Sequence, residues 1–240
     1  MKNQYCGDVG DLSKFALLRS LQSAFPQERI GIIWYLTRDD EHTRVAKDGR
    51  FVIYPKLETC DPELYKALQS MVIEGQRNVS EFRKRGLTLR MAEYDQPLDV
   101  ARPPSKSWQQ AREEWFQGAL RATANCSVVF LDPDNGIAPD QVRLTQARCD
   151  KFALPSELSA LRSRGQTVIC YQHATRVPFD QYLVRRTSEF PGSFAIRWHR
   201  IQPRAYLVWP SGEQDLRSWA GTLVEDQWKP HFTLVPVRLS

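Results

Sequence analysis

With 240 residues, 42% of them hydrophobic and 25% charged, the chain can bury a full core as one large domain, and nothing in it approaches the roughly 20 apolar residues of a membrane span. The five cysteines (Cys6, Cys60, Cys126, Cys149, Cys170) are odd in number and include no Cys-x-x-Cys pair, which excludes a disulfide framework and a zinc knuckle as organising devices. A formal charge of +5 permits attraction to nucleic acid, and the opening Met1-Lys2-Asn3-Gln4-Tyr5-Cys6-Gly7-Asp8 has no apolar signal-peptide core, so a soluble cytoplasmic protein is expected.

Strand-like and helix-like segments alternate along the chain, the pattern of βαβ units. The first helix is expected to take Asp11 as its N-cap and to run through Phe15, Leu17, Leu18 and Leu21 until Pro26 stops it. Ile30 to Leu36 reads as the first strand. A polar connection from Thr37 to Lys56 follows, carrying Asp39, Asp40, Glu41, His42, Asp48 and Arg50. It is far longer than the usual βα loop of about two to six residues, which marks it as a candidate functional loop. Asp61-Pro62 supplies a cap and a first-turn proline for a helix over 61–73, and a second helix is expected over 75–85, making a helical insertion near 61–85. Leu87 to Ala92 reads as the next strand and Gln96 to Ser107, with three prolines, as a loop. From Trp108 onward, Ala111, Trp115, Ala119 and Leu120 recur at helical spacing, which makes Trp115 a core residue rather than a platform for a ligand.

Val128-Val129-Phe130-Leu131 is a short apolar run that stops on Asp132-Pro133-Asp134-Asn135-Gly136. Such a run, bounded by turn formers, reads as a strand covered on both faces inside a parallel sheet. Open α/β sheets bind ligands in the crevice outside the carboxyl ends of their strands, so Asp132 falls where side chains do chemistry. A helix around 155–163 and a strand over Thr167–Tyr171 ending in Gln172-His173 come next, then a helix near 178–190. Two strands, about 193–201 and 204–210, are separated only by Gln202-Pro203. A link so short implies an antiparallel hairpin, because a parallel return needs a crossover of about a dozen residues or more. A short helix near 213–223 and a final strand from His231 to Val237 close the chain. The expected fold is α/β and Rossmann-like: a single domain over 1–240 with a mostly parallel sheet and a C-terminal antiparallel hairpin.

This layout resembles the class I S-adenosylmethionine-dependent methyltransferase superfamily. Within it, Gly7-Asp8-Val9-Gly10-Asp11-Leu12-Ser13-Lys14 is similar to the Gly-Asn-x-Ala-Asp-x-x-Lys segment of bacterial large-subunit ribosomal RNA adenine-N6 methyltransferases, with Gly7, Asp11 and Lys14 matching directly. Asp132-Pro133 stands where that family has Asp-Pro-Pro-Tyr. The resemblance implies a nucleic-acid-directed enzyme that transfers a methyl group to a base amine. Asp132 and Pro133 would lie at the reaction centre, and Asp11 and Lys14 beside the S-adenosylmethionine site. An exocyclic amine is a poor nucleophile because its lone pair is delocalised into the ring, and acceptors on its hydrogens help overcome this. Asp134 and Asn135 replace the family's proline and stacking aromatic, and Trp34 to Asp40 contains no glycine turn.

Other residues fall at the same expected edge. Asp39 and His42, in the long first connection, are candidates for cofactor contact, and His173, at a strand end, is a candidate acid/base. A second reading is a nuclease or phosphohydrolase, with Asp39, Asp40, Asp132, Asp134, His42 and His173 as donors to Mg²⁺ or Mn²⁺ and Lys14, Arg50 or Arg176 holding phosphate. A third is a scaffold that keeps the fold and binds nucleic acid or protein without turnover. RNA and DNA are equally compatible with these residues.

Overall fold

A computed structural model describes residues 1–39, 51–98, 107–139, 149–174, 177–189 and 191–235. In chain order the elements are α1 (Val9–Ala24), β1 (Ile30–Ile33), α2 (Pro62–Ile73), α3 (Val79–Lys84), β2 (Ala92–Tyr94), α4 (Trp108–Ala122), β3 (Val128–Leu131), β4 (Gly136–Ile137), β5 (Phe152–Ala153), α5 (Pro155–Ser163), β6 (Thr167–His173), α6 (Phe179–Ser188), β7 (Phe194–Trp198), β8 (Arg204–Trp209), α7 (Leu216–Glu225) and β9 (Phe232–Leu234).

Seven strands form one sheet in the order β2-β1-β3-β6-β8-β7-β9. The first four run parallel, β8 is antiparallel to both β6 and β7, and β9 is antiparallel to β7. The fold is therefore α/β with a mostly parallel sheet, and the hairpin expected from the Gln202-Pro203 link is present. β4 and β5 pair in parallel as a separate small ribbon that the periodicity did not signal.

Strand side chains alternate faces, and this alternation divides the core into two layers. On one face Ile30, Ile32, Val128, Phe130, Ile169, Tyr206, Val208, Phe194 and Ile196 pack with α1, α2, α3 and α7. On the other, Ile33, Val129, Leu131, Val168, Cys170, Ala205, Leu207 and Ala195 pack with α4, α5 and α6. Both faces of β1 and β3 are buried along their whole length, as their unbroken apolar runs require. Trp115 is core, as expected: its ring meets Tyr35 and Tyr94, and its indole N–H donates to the Gln96 carbonyl at 2.8 Å. Among the described residues no helix is long and apolar enough to cross a membrane.

Several boundaries differ from the periodicity. The first helix is capped by Asp8, not Asp11: Asp8 is extended, and its carboxylate accepts from the Gly10 and Asp11 amides at 2.7 and 3.1 Å. Asp11 consequently sits inside the first turn. The β1 strand ends at Ile33: after one last bond to β2, from the Trp34 amide to the Tyr94 carbonyl at 2.9 Å, the backbone turns to other partners, the Met1 amine donating to the Tyr35 carbonyl at 2.7 Å and the Thr37 amide to the Met1 carbonyl at 2.8 Å. Leu87 to Met91 is not a strand. Its backbone folds into tight turns (Leu87 amide to Phe82 carbonyl 2.8 Å, Met91 amide to Thr88 carbonyl 3.0 Å), and Leu89 of the alternating pattern faces solvent. The strand starts only at Ala92. Gln172 and His173, read as following their strand, instead continue β6, since β8 pairs with it as far as His173↔Arg204. The Asp61 cap and first-turn Pro62 of α2 are as expected.

Candidate active site

The same alternation that builds the core points the candidate residues at one place. Phe130 faces α1, so Asp132, two residues on, does too; Ile169 faces α1, and so do Tyr171 and His173. In β8, Val208 and Tyr206 face α1, which puts Arg204 on that face at the same edge, directly across from His173. The start of α1 closes this corner from above. The resulting cleft is lined by Asp8, Gly10, Asp11 and Lys14 of the α1 region, Asp132 to Asn135 after β3, Tyr171 and His173 of β6, Gln202 and Arg204 at β8, and Met1, Tyr5 and Lys151.

Lys14 holds the centre. Its ammonium, on a residue only 3% exposed, bonds Asp11 Oδ1 at 2.8 Å and Asp132 Oδ2 at 2.7 Å and lies 4.9 Å from the centre of the Trp34 ring. Asp11 is held in turn by the Gly7 amide, 2.8 Å from Oδ2. Burial alone would push the lysine down, but the two carboxylates outweigh it and the ammonium is held above its usual range. Burial raises both carboxyls, and Lys14 opposes the rise at each. Asp132 Oδ1 accepts no hydrogen bond from any described residue, which leaves it available to a ligand in the cleft.

Asp134 is pinned differently. Its carboxylate pairs with the Met1 amine at 2.6 Å and lies 3.8 Å from Lys151. Burial pushes it up, and these cations together with Lys2 more than offset that, so it is held below its ordinary value. The loop itself is latched by Gln172. Its Nε2 donates to the Asn135 carbonyl at 3.1 Å, and its Oε1 accepts from the Ile137 amide and the Tyr182 hydroxyl, each at 3.0 Å. Gly136, at φ +95°, lets the latch close: a Cβ there would overlap the Gln172 amide group.

Asp132, Pro133, His173, Asp11 and Lys14 are thus brought together. Asp39 is not: it is exposed, accepts from the Gln4 amide at 3.2 Å and does not line the cleft. His42, Asp40, Arg50 and Arg176 lie outside the described residues. His173 is half-buried, with Nδ1 3.1 Å from the Tyr171 hydroxyl, whose pKa burial pushes up to about 12. Arg204 and Tyr171 were missed in the sequence. The signal for them was parity: a hairpin strand starting at residue 204 begins at the carboxyl edge of its antiparallel neighbour, so its first side chain belongs to the cleft. For the metal alternative, no group of three or more His, Cys, Asp or Glu side chains among the described residues is arranged to hold an ion. Asp11 and Asp132 share the Lys14 ammonium instead. Comparison with family models, with curated proteins and with solved structures finds no match.

Proposed function

We propose that this protein is a nucleic-acid-directed enzyme of methyltransferase-like fold that transfers a methyl group to the exocyclic amine of a base held against Asp132 and Pro133. One observation carries the reading: Lys14 of the first helix is bonded to Asp132 after β3, 118 positions apart in sequence, so the two segments similar to the adenine-N6 methyltransferases meet in one cleft. The sheet supports it as well, since reversed β8 lies between β6 and β7 in the terminal hairpin that the resemblance implies.

Asp132 Oδ2 is fixed by Lys14, which leaves Oδ1 to accept one amine hydrogen, and the carbonyl of Pro133, which lines the same cleft, would accept the other. Two acceptors restore electron density to the amine nitrogen and hold it in one orientation. Lys14 keeps its proton and therefore acts by position and charge rather than as a base. His173, which lines the same cleft, would take the proton that the amine loses.

S-adenosylmethionine, the group that the resemblance implies, carries both signs of charge, and the cleft offers both. Asp8, whose Oδ2 carries no hydrogen bond from a described residue, would face its cationic groups, with Asp11 and Lys14 beside it; when bound, the group supplies the electrophilic methyl. The backbone after β1 is different, because Tyr35 and Thr37 are bonded to Met1 and no glycine turn lies there. That observation favours a second reading, a scaffold that binds its nucleic acid without turnover. The two are separated by incubating the protein with methyl-labelled S-adenosylmethionine and short RNA and DNA oligomers. Label is expected in adenine N6 and is expected to fall at least about a hundredfold in Asp132→Asn, in line with the loss of a preorganised electrostatic contact. Oligomer binding with no label in any substrate would leave only the scaffold.

A further inference from the structure

Arg204 is the first residue of β8, and its side chain enters the cleft across from His173. The residue is 3% exposed. Its Nε donates to the Gln202 carbonyl at 3.1 Å and its Nη2 to Gln202 Oε1 at 3.2 Å, while Nη1 makes no hydrogen bond and lies against Gly10 in the first turn of α1. The other cations lining the cleft each have a carboxylate within 4 Å: Lys14 has Asp11 and Asp132, and the Met1 amine and Lys151 have Asp134. Arg204 has none among the described residues. The neighbouring Asp8 spends Oδ1 on the Gly10 and Asp11 amides, and the Val9 amide is taken by the Phe51 carbonyl, so Nη1 is a donor in this corner with no hydrogen-bond partner among the described residues.

Asp8 and Asp11 act on the guanidinium through space but neither touches it, and a buried cation with no carboxylate in contact keeps donors that an anion entering the cleft can use. The planar fork of a guanidinium suits a phosphate. Position narrows the ligand further. Arg204 lies two strands from Asp132, on the side away from β1, a separation of roughly 10 Å at the ordinary strand spacing. That span is the size of one nucleotide.

We infer that Arg204 is an anion subsite that takes the phosphate of the nucleotide whose base sits at Asp132 and Pro133. The inference rests on the base-amine reading for the base and on the unpaired guanidinium for the phosphate. It separates nucleotides from free nucleosides: the protein acts on a base whose sugar carries a phosphate, not on a nucleoside.

Calorimetric titration of the full chain with inorganic phosphate, adenosine and adenosine 5′-monophosphate tests it, in wild type and in two variants. Arg204→Met removes the fork. Gly10→Ala keeps it but places a Cβ where Nη1 lies and close to the capping Asp8 Oδ1, so its fold is checked by circular dichroism and urea unfolding alongside. In wild type the monophosphate is expected to bind at least about tenfold tighter than adenosine, as for hydrogen bonds to a charged group, and both variants are expected to bring that ratio close to one. A monophosphate that binds no better than adenosine in wild type, or a preference that survives in Gly10→Ala or in a folded Arg204→Met, overturns the subsite. Phosphate binding that requires Arg204 while adenosine fails to bind upholds the subsite and refutes the base-amine reading. Adenosine binding with no response to phosphate does the reverse.

Discussion

At the scale of single residues, Lys14 shows how a buried charge becomes useful. Two carboxylates and one ammonium leave water together, and each is tolerable because the others are there. Replacing Lys14 with methionine leaves Asp11 and Asp132 buried without their cation, so a loss of about 3–5 kcal/mol is expected in urea unfolding. The pH dependence has a definite sign. Burial already raises the Asp132 carboxyl, and without Lys14 only the charge of the Met1 amine still opposes the rise. A carboxyl raised in the folded state favours folding below its ordinary pKa, and that contribution is lost as pH rises through the folded value. The gap between wild type and Lys14→Met should therefore be narrow near pH ~4 and wide near pH ~8. A gap independent of pH across that window would mean that the carboxylates find other partners. The pairing of Lys14 with Asp132 was not read from the sequence, where resemblance of two short segments only put both residues at one site; no periodicity rule joins residues so far apart.

At the scale of elements, the Asp132–Gly136 loop is the part whose shape matters most. It leaves β3 at the sheet edge, and Gln172 of β6 ties down both its Asn135 carbonyl and the following Ile137 amide. Gly136→Ala would impose a side chain at positive φ and drive it into that amide group. A loss of roughly 1–3 kcal/mol is expected in thermal or urea unfolding, with activity falling more than stability because Pro133 and Asp134 move with the loop. Unchanged stability would show that the loop relaxes without the latch. The Asn-Gly pair was readable as a turn, but the latch was not, since Gln172 looked like loop rather than the sixth residue of a strand. The misplaced second strand has a similar origin: Leu-Thr-Leu-Arg alternates like a strand, yet Leu87 and Met91 bury by turning beneath α3 while Leu89 faces solvent. Local alternation lost to tertiary packing there. The α1 cap moved by three residues for a simpler reason, because Asp8 and Asp11 are both acceptable caps and only the burial of Val9 favours the earlier start.

At the scale of the whole molecule, most of the architecture was legible. An unbroken apolar run marked β3 as doubly covered, and a link too short for a crossover forced the β7–β8 reversal. These are strong constraints, because the distance a chain can span and the need to cover both sheet faces leave few alternatives. The cleft was legible where residues end parallel strands and illegible where they begin the antiparallel one. Asp132 and His173 were therefore found and Arg204 was not. Side chains from α1, β3, β6 and β8 converge at that edge in a mixed set of charges, and every functional claim above depends on a base and its phosphate lying among them. The most direct measurement is a crystal structure grown with S-adenosylhomocysteine and adenosine 5′-monophosphate. The adenine amine is expected within hydrogen-bonding distance of Asp132 Oδ1 and the Pro133 carbonyl, with its phosphate on Arg204. A nucleotide bound away from this edge, or one that leaves Asp132 without contact, would contradict the account.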